Sequence, residues 1–496
     1  MNLKKIKLSS LFILLNIFVL FTSVLFIEEI YKLQFSDSEY FKNQALSNRQ
    51  KIDIIEAKRG SILDREFNEV SETINAFNIG IYPEQIDDKE LVSELLAPLL
   101  QLDKVTIFER LKNNKNYFYL KRNVDFEIGT KINNWNYKGI NVEKSSKRII
   151  YSDSLKQIIG HVDPDGNGIE GLELYFDNSL KGTDGELRYE AAPNGDFIPQ
   201  GKSSILDPVH GEDLILSIDS ELQYISENLC SEALKATEAF KCSVVFVNAE
   251  NGEIIISAEK SSTNNKYFNI NLISGRALYE PGSALKIFTV GSLLEKNEVN
   301  ENDTYYVEDK IEIIEESCNK TYEGLKGCFR DFLNHDPYEL TVKEIIERSS
   351  NVGTIKITQN SNVSEIENFL MKFGFGKKTG VELTGETRGG FIDYKRCVTC
   401  LSSLSIGYSV NVSQYQMVRA YSIIANGGND VKLTLTQKDN VDVEDIGIIS
   451  AEMSSRLKKL LINVVEGENG TGKSLRKEGY IIGGKTGTSR THLEGV

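Results

Sequence analysis

The chain is poor in the residues that build disulfide-held miniproteins and histidine-rich metal centres. Its 496 residues include six Cys and four His. Six Cys in a chain of this length is far below the density of a disulfide scaffold, so a hydrophobic core must hold the fold together. Four histidines leave little material for a histidine-rich site, and we expect neither a metal ion nor another cofactor.

An excess of positive charge is also missing. Lys and Arg total 57 against 72 Asp and Glu, a net charge of −15, and the sequence has no long basic run. Binding to nucleic-acid phosphates requires clustered Lys and Arg, so nucleic acid is excluded as the main partner. At about 150 residues per domain, the length predicts roughly three domains.

One long apolar run lies near the amino terminus. Leu8 to Ile27 carries no charged residue, and a helix of this length spans about 30 Å, the thickness of a bilayer core. The run is too long for a cleavable signal and has no small-residue cleavage site, so we expect a retained anchor. Three lysines precede it and two glutamates follow it. The positive-inside rule therefore predicts that residues 1–7 form a cytoplasmic tail, that residues 8–27 cross the membrane and that the rest lies outside the cytoplasm.

The extracytoplasmic part changes character near residue 206. Residues 28–205 contain short alternating runs separated by Gly and Asn turns, which predicts a β-rich module. The part from residue 206 onward contains a hairpin signal at Asn251-Gly252, several helical segments and a strand-like run at Tyr480–Ser489. We therefore predict an α+β fold in which an antiparallel sheet lies beside a helical cluster.

The pattern S-x-x-K occurs several times, and only Ser283 has a setting that suggests chemistry. Glu280-Pro281-Gly282 precedes Ser283 and an apolar helix follows it. Lys286 lies one turn later on the same face, within reach of the hydroxyl. The pair supplies a nucleophile and an adjacent base without any histidine. The alternative is a helix cap beside a solvated lysine.

Two further motifs follow in the order that a serine-lysine acyl-transfer site requires. The pattern S-x-N at Ser349 and Asn351 ends a predicted helix, and K-T-G at 485–487 ends the predicted strand. A second K-T-G at Lys378 lies in a Gly-rich loop and is interpreted as a turn. The Walker-type pattern at Gly467–Ser474 is also interpreted as a turn, because a P-loop needs a helix directly after it.

These motifs resemble those of the penicillin-binding proteins: EPGSALK (280–286), SSN (349–351) and KTGTS (485–489). Segments such as RGSILDR (59–65) and GIEGLELYFDNSLKGTDG (168–185) are similar to those of the class B, monofunctional transpeptidases. The resemblance is greatest to the septal, division-specific branch, with the elongation branch as the nearer alternative. It implies a β-rich pedestal over residues 28–205 and a transpeptidase domain over residues 206–496.

The resemblance implies a role for each motif residue in crosslinking peptidoglycan stem peptides. Ser283 would attack the penultimate D-alanine carbonyl, and Lys286 would accept its proton. That role requires the pKa of Lys286 to fall, through burial and the charge of Lys485. Ser349 would relay the proton to the leaving group, and Asn351 would hold the substrate amide.

The same resemblance implies how the substrate is held. Lys485 and Thr486 would bind the terminal carboxylate, and Gly487 and Thr488 belong to the same substrate-binding segment. The backbone N–H groups of Ser283 and Thr488 would form an oxyanion hole.

It also implies partners and a location. Lipid II-derived strands are the implied substrate and β-lactams the implied inhibitors. The implied location is the bacterial cytoplasmic membrane, with a septal glycosyltransferase and other division proteins as partners.

The sequence alone leaves three questions open: whether the catalytic domain is complete, whether the protein is catalytic, and what state its cysteines are in. The family's catalytic domain continues well beyond K-T-G, whereas this sequence ends at Val496, so we expect an incomplete domain of reduced activity. A noncatalytic division scaffold or a β-lactam sensor could keep the same fold. Cys318 with Cys328, and Cys397 with Cys400, are predicted to be disulfides or free thiols rather than a zinc site, whose usual spacing they lack.

Overall fold

The computed structural model describes most of the chain. The described residues are 3–36, 39–40, 49–192, 198, 203–262, 274–319, 327–393, 397–437 and 446–489. The predicted end of the catalytic domain at Val496 lies outside the described residues.

The α-helices are α1 (Leu3–Tyr31), α2 (Lys89–Leu100), α3 (Lys104–Asn113), α4 (Phe126–Asn133), α5 (Lys156–Ile159), α6 (Gly171–Tyr175), α7 (Asp177–Leu180), α8 (Ser220–Thr237), α9 (Lys286–Glu295), α10 (Val342–Arg348), α11 (Asn351–Thr358), α12 (Val363–Lys372), α13 (Cys400–Ser405), α14 (Gln414–Ala425) and α15 (Ala451–Glu466). The strands are β1 (Gln50–Ile55), β2 (Ile62–Leu63), β3 (Glu69–Ile81), β4 (Phe118–Asp125), β5 (Ile140–Ile150), β6 (Gly185–Glu190), β7 (Ser203–Leu206), β8 (Leu214–Ile215), β9 (Lys241–Val247), β10 (Ile254–Ser261), β11 (Thr304–Val307), β12 (Lys310–Glu312), β13 (Cys328–Arg330), β14 (Tyr338–Thr341), β15 (Gly390–Phe391) and β16 (Val410–Asn411). This mixture of helices and largely antiparallel strands confirms the predicted α+β class.

The described chain forms two compact units, and the first contains Met1–Arg59 and Lys181–Gly211. Helix α1 belongs to it, and the segment Leu11–Tyr31 is long and apolar enough to cross a membrane. The unit also contains an antiparallel sheet in the order β1, β6, β7. The register from Gln50 opposite Glu190 to Ile55 opposite Gly185 is unbroken.

The second unit contains Gly60–Leu180 and Glu212–Val496. Its amino-terminal sheet is built around the long strand β3, which pairs with β5 over an uninterrupted register and with β4 and β2 over shorter ones. Helices α2 and α3 cover this sheet, and Ile79, Leu96 and Ile107 lie in their common core. Strand β2 also pairs in parallel with β8.

The largest core of the second unit surrounds helix α9. Every residue of α9 from Lys286 to Leu294 is buried. A helix that is apolar on all sides needs neighbours on all sides. Helices α12 and α15 supply two of them, through Phe369 and Leu457, whose side chains belong to the same core cluster. The start of α9 is therefore fixed by packing.

The predicted hairpin around Asn251-Gly252 is confirmed, since β9 and β10 pair on either side of it. The predicted strand over Tyr480–Ser489 is wrong. This segment forms no ladder with any described strand, and its backbone bonds include one from the Gly484 N–H to the carbonyl of Leu461. A strand requires a paired neighbour, which an extended sequence pattern alone does not provide.

All six cysteines are paired. The structure contains disulfides Cys318–Cys328 and Cys397–Cys400, as one of the open alternatives proposed, and a third between Cys230 and Cys242. The third pair joins α8 to β9. Its cysteines are separated by 12 positions, and the packing of a helix on a hairpin brings them together.

We predict that the oxidised protein contains no alkylatable thiol, because no free cysteine remains in the structure. Denaturation with iodoacetamide should leave the intact mass unchanged, and reduction before alkylation should add six carbamidomethyl groups. Alkylation without reduction, at any of the six positions, would contradict the assigned pairing.

Candidate active site

The sequence-predicted nucleophile lies in a 3₁₀ turn. Gly282–Leu285 forms this turn directly before α9, so Ser283 and Lys286 are separated by a tighter turn than the α-helical one that their predicted spacing on one face assumed. Gly282 has φ +54° and donates its N–H to the carbonyl of Gly407 at 3.0 Å. A Cβ at position 282 would lie 2.4 Å from the carbonyl oxygen of Thr488, so only glycine fits. Ser283 itself is half-buried.

Lys286 is the first residue of α9 and has no solvent exposure. Its Nζ donates hydrogen bonds of 2.7 Å to the carbonyl of Ser349 and to Oδ1 of Asn351. A neutral lysine amine has two N–H bonds and one lone pair. Both N–H bonds are used here, which leaves the lone pair available to accept a proton.

Burial lowers the pKa of Lys286 well below its ordinary value, and the nearby charge of Lys485 lowers it further, whereas Asp331 opposes the shift. This confirms the predicted direction and both predicted causes. Burial also lowers the pKa of Lys485 to about 7. Both amines therefore lose their proton at a lower pH than an exposed lysine does.

Ser349 lies between the two lysines because of its backbone conformation. It ends α10 in the left-handed region with φ +59°, and Ser350 begins α11 by accepting the N–H of Gly353 at 2.8 Å. The break between the helices points the Ser349 carbonyl at Lys286. The Ser349 hydroxyl accepts a 2.7 Å hydrogen bond from Nζ of Lys485.

Asp331 fixes the start of α11 and was missed by the sequence analysis. Its carboxylate accepts the N–H groups of Asn351 at 2.5 Å and Val352 at 3.0 Å and the hydroxyl of Ser350 at 2.7 Å. A carboxylate is favoured at a helix amino terminus. The Asn351 side chain is also anchored, since Nδ2 donates to the carbonyl of Arg330 at 2.7 Å. No local signal marks Asp331, because it is far from Asn351 in sequence.

The K-T-G segment lies beside the nucleophile turn. Nζ of Lys485 donates to the Thr486 carbonyl at 2.9 Å. A Cβ at Gly487 would lie 3.0 Å from the carbonyl of Pro281, so glycine permits this close approach. The structure thus brings Gly487 and Thr488 against the turn that carries Ser283, as the motif order predicted.

The competing motif matches have structural roles elsewhere. Lys378 is exposed, and the following N–H groups of Thr379 and Gly380 donate to the buried carboxylate of Glu386. This segment is therefore a turn, as predicted. The Walker-type segment follows helix α15 and ends in a 3₁₀ turn at Lys473–Leu475 rather than in the α-helix that a P-loop needs. The N–H of Asn469 donates to the carboxylate of Glu347 at 2.7 Å. The chain's own carboxylate occupies a place that a phosphate would need.

Two family models match most of the chain that follows the apolar helix α1. The model of the penicillin binding protein transpeptidase domain matches residues 242–495. The model of the penicillin-binding protein dimerisation domain matches residues 54–216.

Curated relatives are similar over almost the full chain. Penicillin-binding protein PbpB of Mycolicibacterium smegmatis is 28% identical over 96% of this chain and 79% of its own length. Peptidoglycan D,D-transpeptidase FtsI of Buchnera aphidicola is 28% identical over 96% of this chain and 83% of its own length.

A solved structure has the same fold. Penicillin-binding protein PBP2 of Helicobacter pylori, solved in complex with MreC, aligns with a TM-score of 0.73 at 20% identity, over 89% of this chain and 90% of that chain. The dimerisation model precedes the transpeptidase model along the chain. The chain belongs to the penicillin-binding proteins and is a class B peptidoglycan D,D-transpeptidase.

Proposed function

We propose that Ser283 is the acyl-accepting nucleophile of this transpeptidase and that Lys286 is its general base. One observation carries the proposal: the buried Lys286 amine has both N–H bonds engaged by Ser349 and Asn351 and a strongly lowered pKa. A lysine whose pKa is lowered is neutral, and therefore a base, at a lower pH than an exposed lysine. Its lone pair is the proton acceptor that the Ser283 hydroxyl needs.

Acylation then transfers one proton through the site. The Ser283 oxygen attacks the penultimate D-alanine carbonyl of a stem peptide while Lys286 takes the hydroxyl proton. Collapse of the tetrahedral intermediate breaks the amide bond. Ser349 accepts from Lys286 at its carbonyl and from Lys485 at its hydroxyl. Its hydroxyl passes a hydrogen to the leaving amine of the terminal D-alanine and is reprotonated by the proton that Lys286 took, so one proton moves in total from Ser283 to the leaving group. The acyl group remains as an ester on Ser283.

Deacylation by a neighbouring stem completes the crosslink. Its side-chain amine attacks the ester carbonyl, a new amide bond forms, and the proton lost by that amine returns to Ser283 oxygen through Lys286. An acceptor amine that is held beside the ester carbonyl reacts faster than water does. The enzyme is then a transferase rather than a hydrolase. β-Lactams acylate Ser283 by the same first step, because their amide carbonyl takes the place of the D-alanyl bond.

The remaining motif residues hold the substrate. Lys485 and Thr486 bind the terminal carboxylate, and the free N–H of the Asn351 side chain donates to a substrate carbonyl. The N–H groups of Ser283 and Thr488 receive the developing oxyanion. The close approach of the Thr488 backbone to Gly282 supports this arrangement. An oxyanion donor of this kind contributes about 3 kcal/mol to transition-state stabilisation.

We assign residues 28–205 to the pedestal and residues 206–496 to the transpeptidase domain, anchored by the apolar helix α1 with its amino terminus in the cytoplasm. This topology places the active site outside the cytoplasmic membrane, where the lipid II-derived strands are. The proposed partners are a membrane glycosyltransferase, which supplies uncrosslinked strands, and other membrane proteins of the division machinery.

We further propose the septal rather than the elongation role, on the motif resemblance given above and on the similarity to peptidoglycan D,D-transpeptidase FtsI. A fluorescent fusion of the full chain, expressed in the cells that carry it, should concentrate at the division site. Uniform labelling of the side wall would instead identify the elongation-type enzyme.

We predict that benzylpenicillin forms a stable adduct of one molecule per chain and that Ser283→Ala abolishes it. Intact-mass measurement of the full chain in detergent, before and after incubation, tests this. Ser257→Ala is the matched control, since Ser257 also heads an S-x-x-K pattern and should leave the adduct unchanged. An unmodified wild-type chain would favour the noncatalytic scaffold, and an adduct that persists in Ser283→Ala would place the nucleophile elsewhere.

We predict a bell-shaped pH dependence of the second-order acylation constant. The rising limb reports loss of the Lys286 proton, since only the neutral amine is a base. The falling limb reports loss of charge on Lys485, whose pKa of about 7 means that carboxylate binding weakens above neutrality. Because arginine keeps its charge at high pH, Lys485→Arg should remove the falling limb. Measurement with benzylpenicillin in both proteins tests this, and a falling limb that Lys485→Arg leaves in place would contradict the assignment.

A further inference from the structure

The Walker-type segment has no phosphate-binding role, and its contacts point to another one. It joins α15 to the K-T-G segment and contains Thr471, whose Oγ1 lies 2.9 Å from Oγ1 of Thr486. Both threonines are exposed, so a ligand carboxylate can reach this part of the cleft. The hydroxyl of Thr471 is therefore a neighbour of a substrate-binding hydroxyl.

Glu347 holds the segment in place from the opposite side. It belongs to α10, two positions before Ser349, and is 5% exposed. Its carboxylate accepts Nδ2 of Asn463 at 2.5 Å and the N–H of Asn469 at 2.7 Å, and its main-chain carbonyl accepts the N–H of Thr471 at 3.2 Å. One residue thus binds both the end of α15 and the loop that follows it.

The glycines of the loop make these contacts sterically possible. A Cβ at Gly467 would lie 2.5 Å from Oε1 of Glu347, and a Cβ at Gly470 would lie 2.2 Å from the carbonyl of Val464. Side chains at either position would push the loop away from α10 and α15. The Gly spacing that resembles a phosphate-binding loop is thus explained by close contact with the chain's own carboxylate and backbone.

The contacts close a ring around the cleft. Nζ of Lys485 bonds the Ser349 hydroxyl and the Thr486 carbonyl, Thr486 meets Thr471, and the Thr471 N–H returns to the helix that ends at Ser349. The S-x-N and K-T-G motifs are therefore connected both directly, through Lys485, and through the Walker-type segment.

A hydroxyl has one hydrogen to donate, and this decides what Thr471 does. Either hydroxyl could donate in the contact between Thr471 and Thr486, and Oγ1 of Thr486 also accepts from Nζ of Lys485 at 3.4 Å. When the one hydrogen of Thr486 goes to a substrate carboxylate, Thr486 cannot donate to Thr471, so Thr471 must be the donor in that contact. We propose that Thr471 is a positioning residue: it donates its hydroxyl hydrogen to Thr486, which orients the Thr486 hydrogen toward the carboxylate, and Glu347 keeps Thr471 in place. This rests on the proposed function, in which Thr486 binds the carboxylate, and it adds two residues to the specificity-determining set.

The test is a double-mutant cycle measured by acylation with benzylpenicillin. Thr471→Val removes the hydroxyl at constant shape and should raise the apparent dissociation constant about three- to tenfold, the effect of one hydrogen bond, with the acylation step nearly unchanged. Thr471→Ser should restore binding. Because Thr471 acts through Thr486, Thr471→Val should have no further effect once Thr486→Val is present.

Controls separate this inference from folding defects and from the proposed function. Thr237→Val removes a hydroxyl that bonds the Ala233 carbonyl in α8 and should leave binding unchanged. An unaltered dissociation constant in Thr471→Val, or effects of Thr471→Val and Thr486→Val that simply add, would overturn the positioning role. Absence of acylation in the wild-type chain would instead contradict the proposed function, so the two failures are distinguishable. Glu347→Gln replaces one of the two acceptor oxygens, which face the donors of Asn463 and Asn469, with an NH₂ group. This variant should weaken binding in the same way as Thr471→Val.

Discussion

The burial of the Lys286 amine is the constraint on which the rest of the site depends. A charged ammonium without solvent is costly, and a protein relieves that cost by neutralising the group or by supplying hydrogen-bond partners. Here both occur, because the pKa of Lys286 is lowered and two acceptors lie at 2.7 Å. Those acceptors exist only because the chain breaks between α10 and α11. The S-x-N motif is thus a requirement of the folded state as well as part of the chemistry.

Packing of α9 determines where that amine lies. Phe288 makes edge-on contacts with Phe373, Phe375 and Tyr421, with ring centroids 5.0 to 5.3 Å apart. The Tyr421 hydroxyl also donates to the carbonyl of Ala284, inside the nucleophile turn, at 2.8 Å. Since the helix is surrounded by apolar side chains, it cannot rotate or slide without losing core contacts. The separation between nucleophile and base is consequently set by the hydrophobic core.

Local signals made part of this structure predictable. The apolar amino-terminal helix and the Asn251-Gly252 hairpin follow from residues adjacent in sequence, and the three motifs are recognised from short runs of residues and their order. Asp331 and Glu347 could not be found in this way, because each acts on a segment that only the tertiary fold brings near. The disulfide between Cys230 and Cys242 was missed for the same reason.

For the K-T-G segment the sequence predicted an element, a strand, that the described part of the structure does not contain. Its sequence favours a strand, but strand pairing depends on a neighbour that the sequence of the segment does not specify. The position of Lys485 was nevertheless predictable, because the motif is recognised by its residues and their order. The bond that holds it, to the Ser349 hydroxyl, was not.

The left-handed backbone at Ser349 limits how this site can change in evolution. A β-branched residue is strained at φ +59°, which disfavours threonine even though threonine would keep a hydroxyl. Glycine would suit the backbone but would leave Lys485 without its hydroxyl acceptor. Few single substitutions satisfy both conditions, so a lineage under selection by an inhibitor has little freedom at this position. Escape from an inhibitor that depends on Ser349 must instead arise in the residues around it, through changes that alter access or binding while the serine stays.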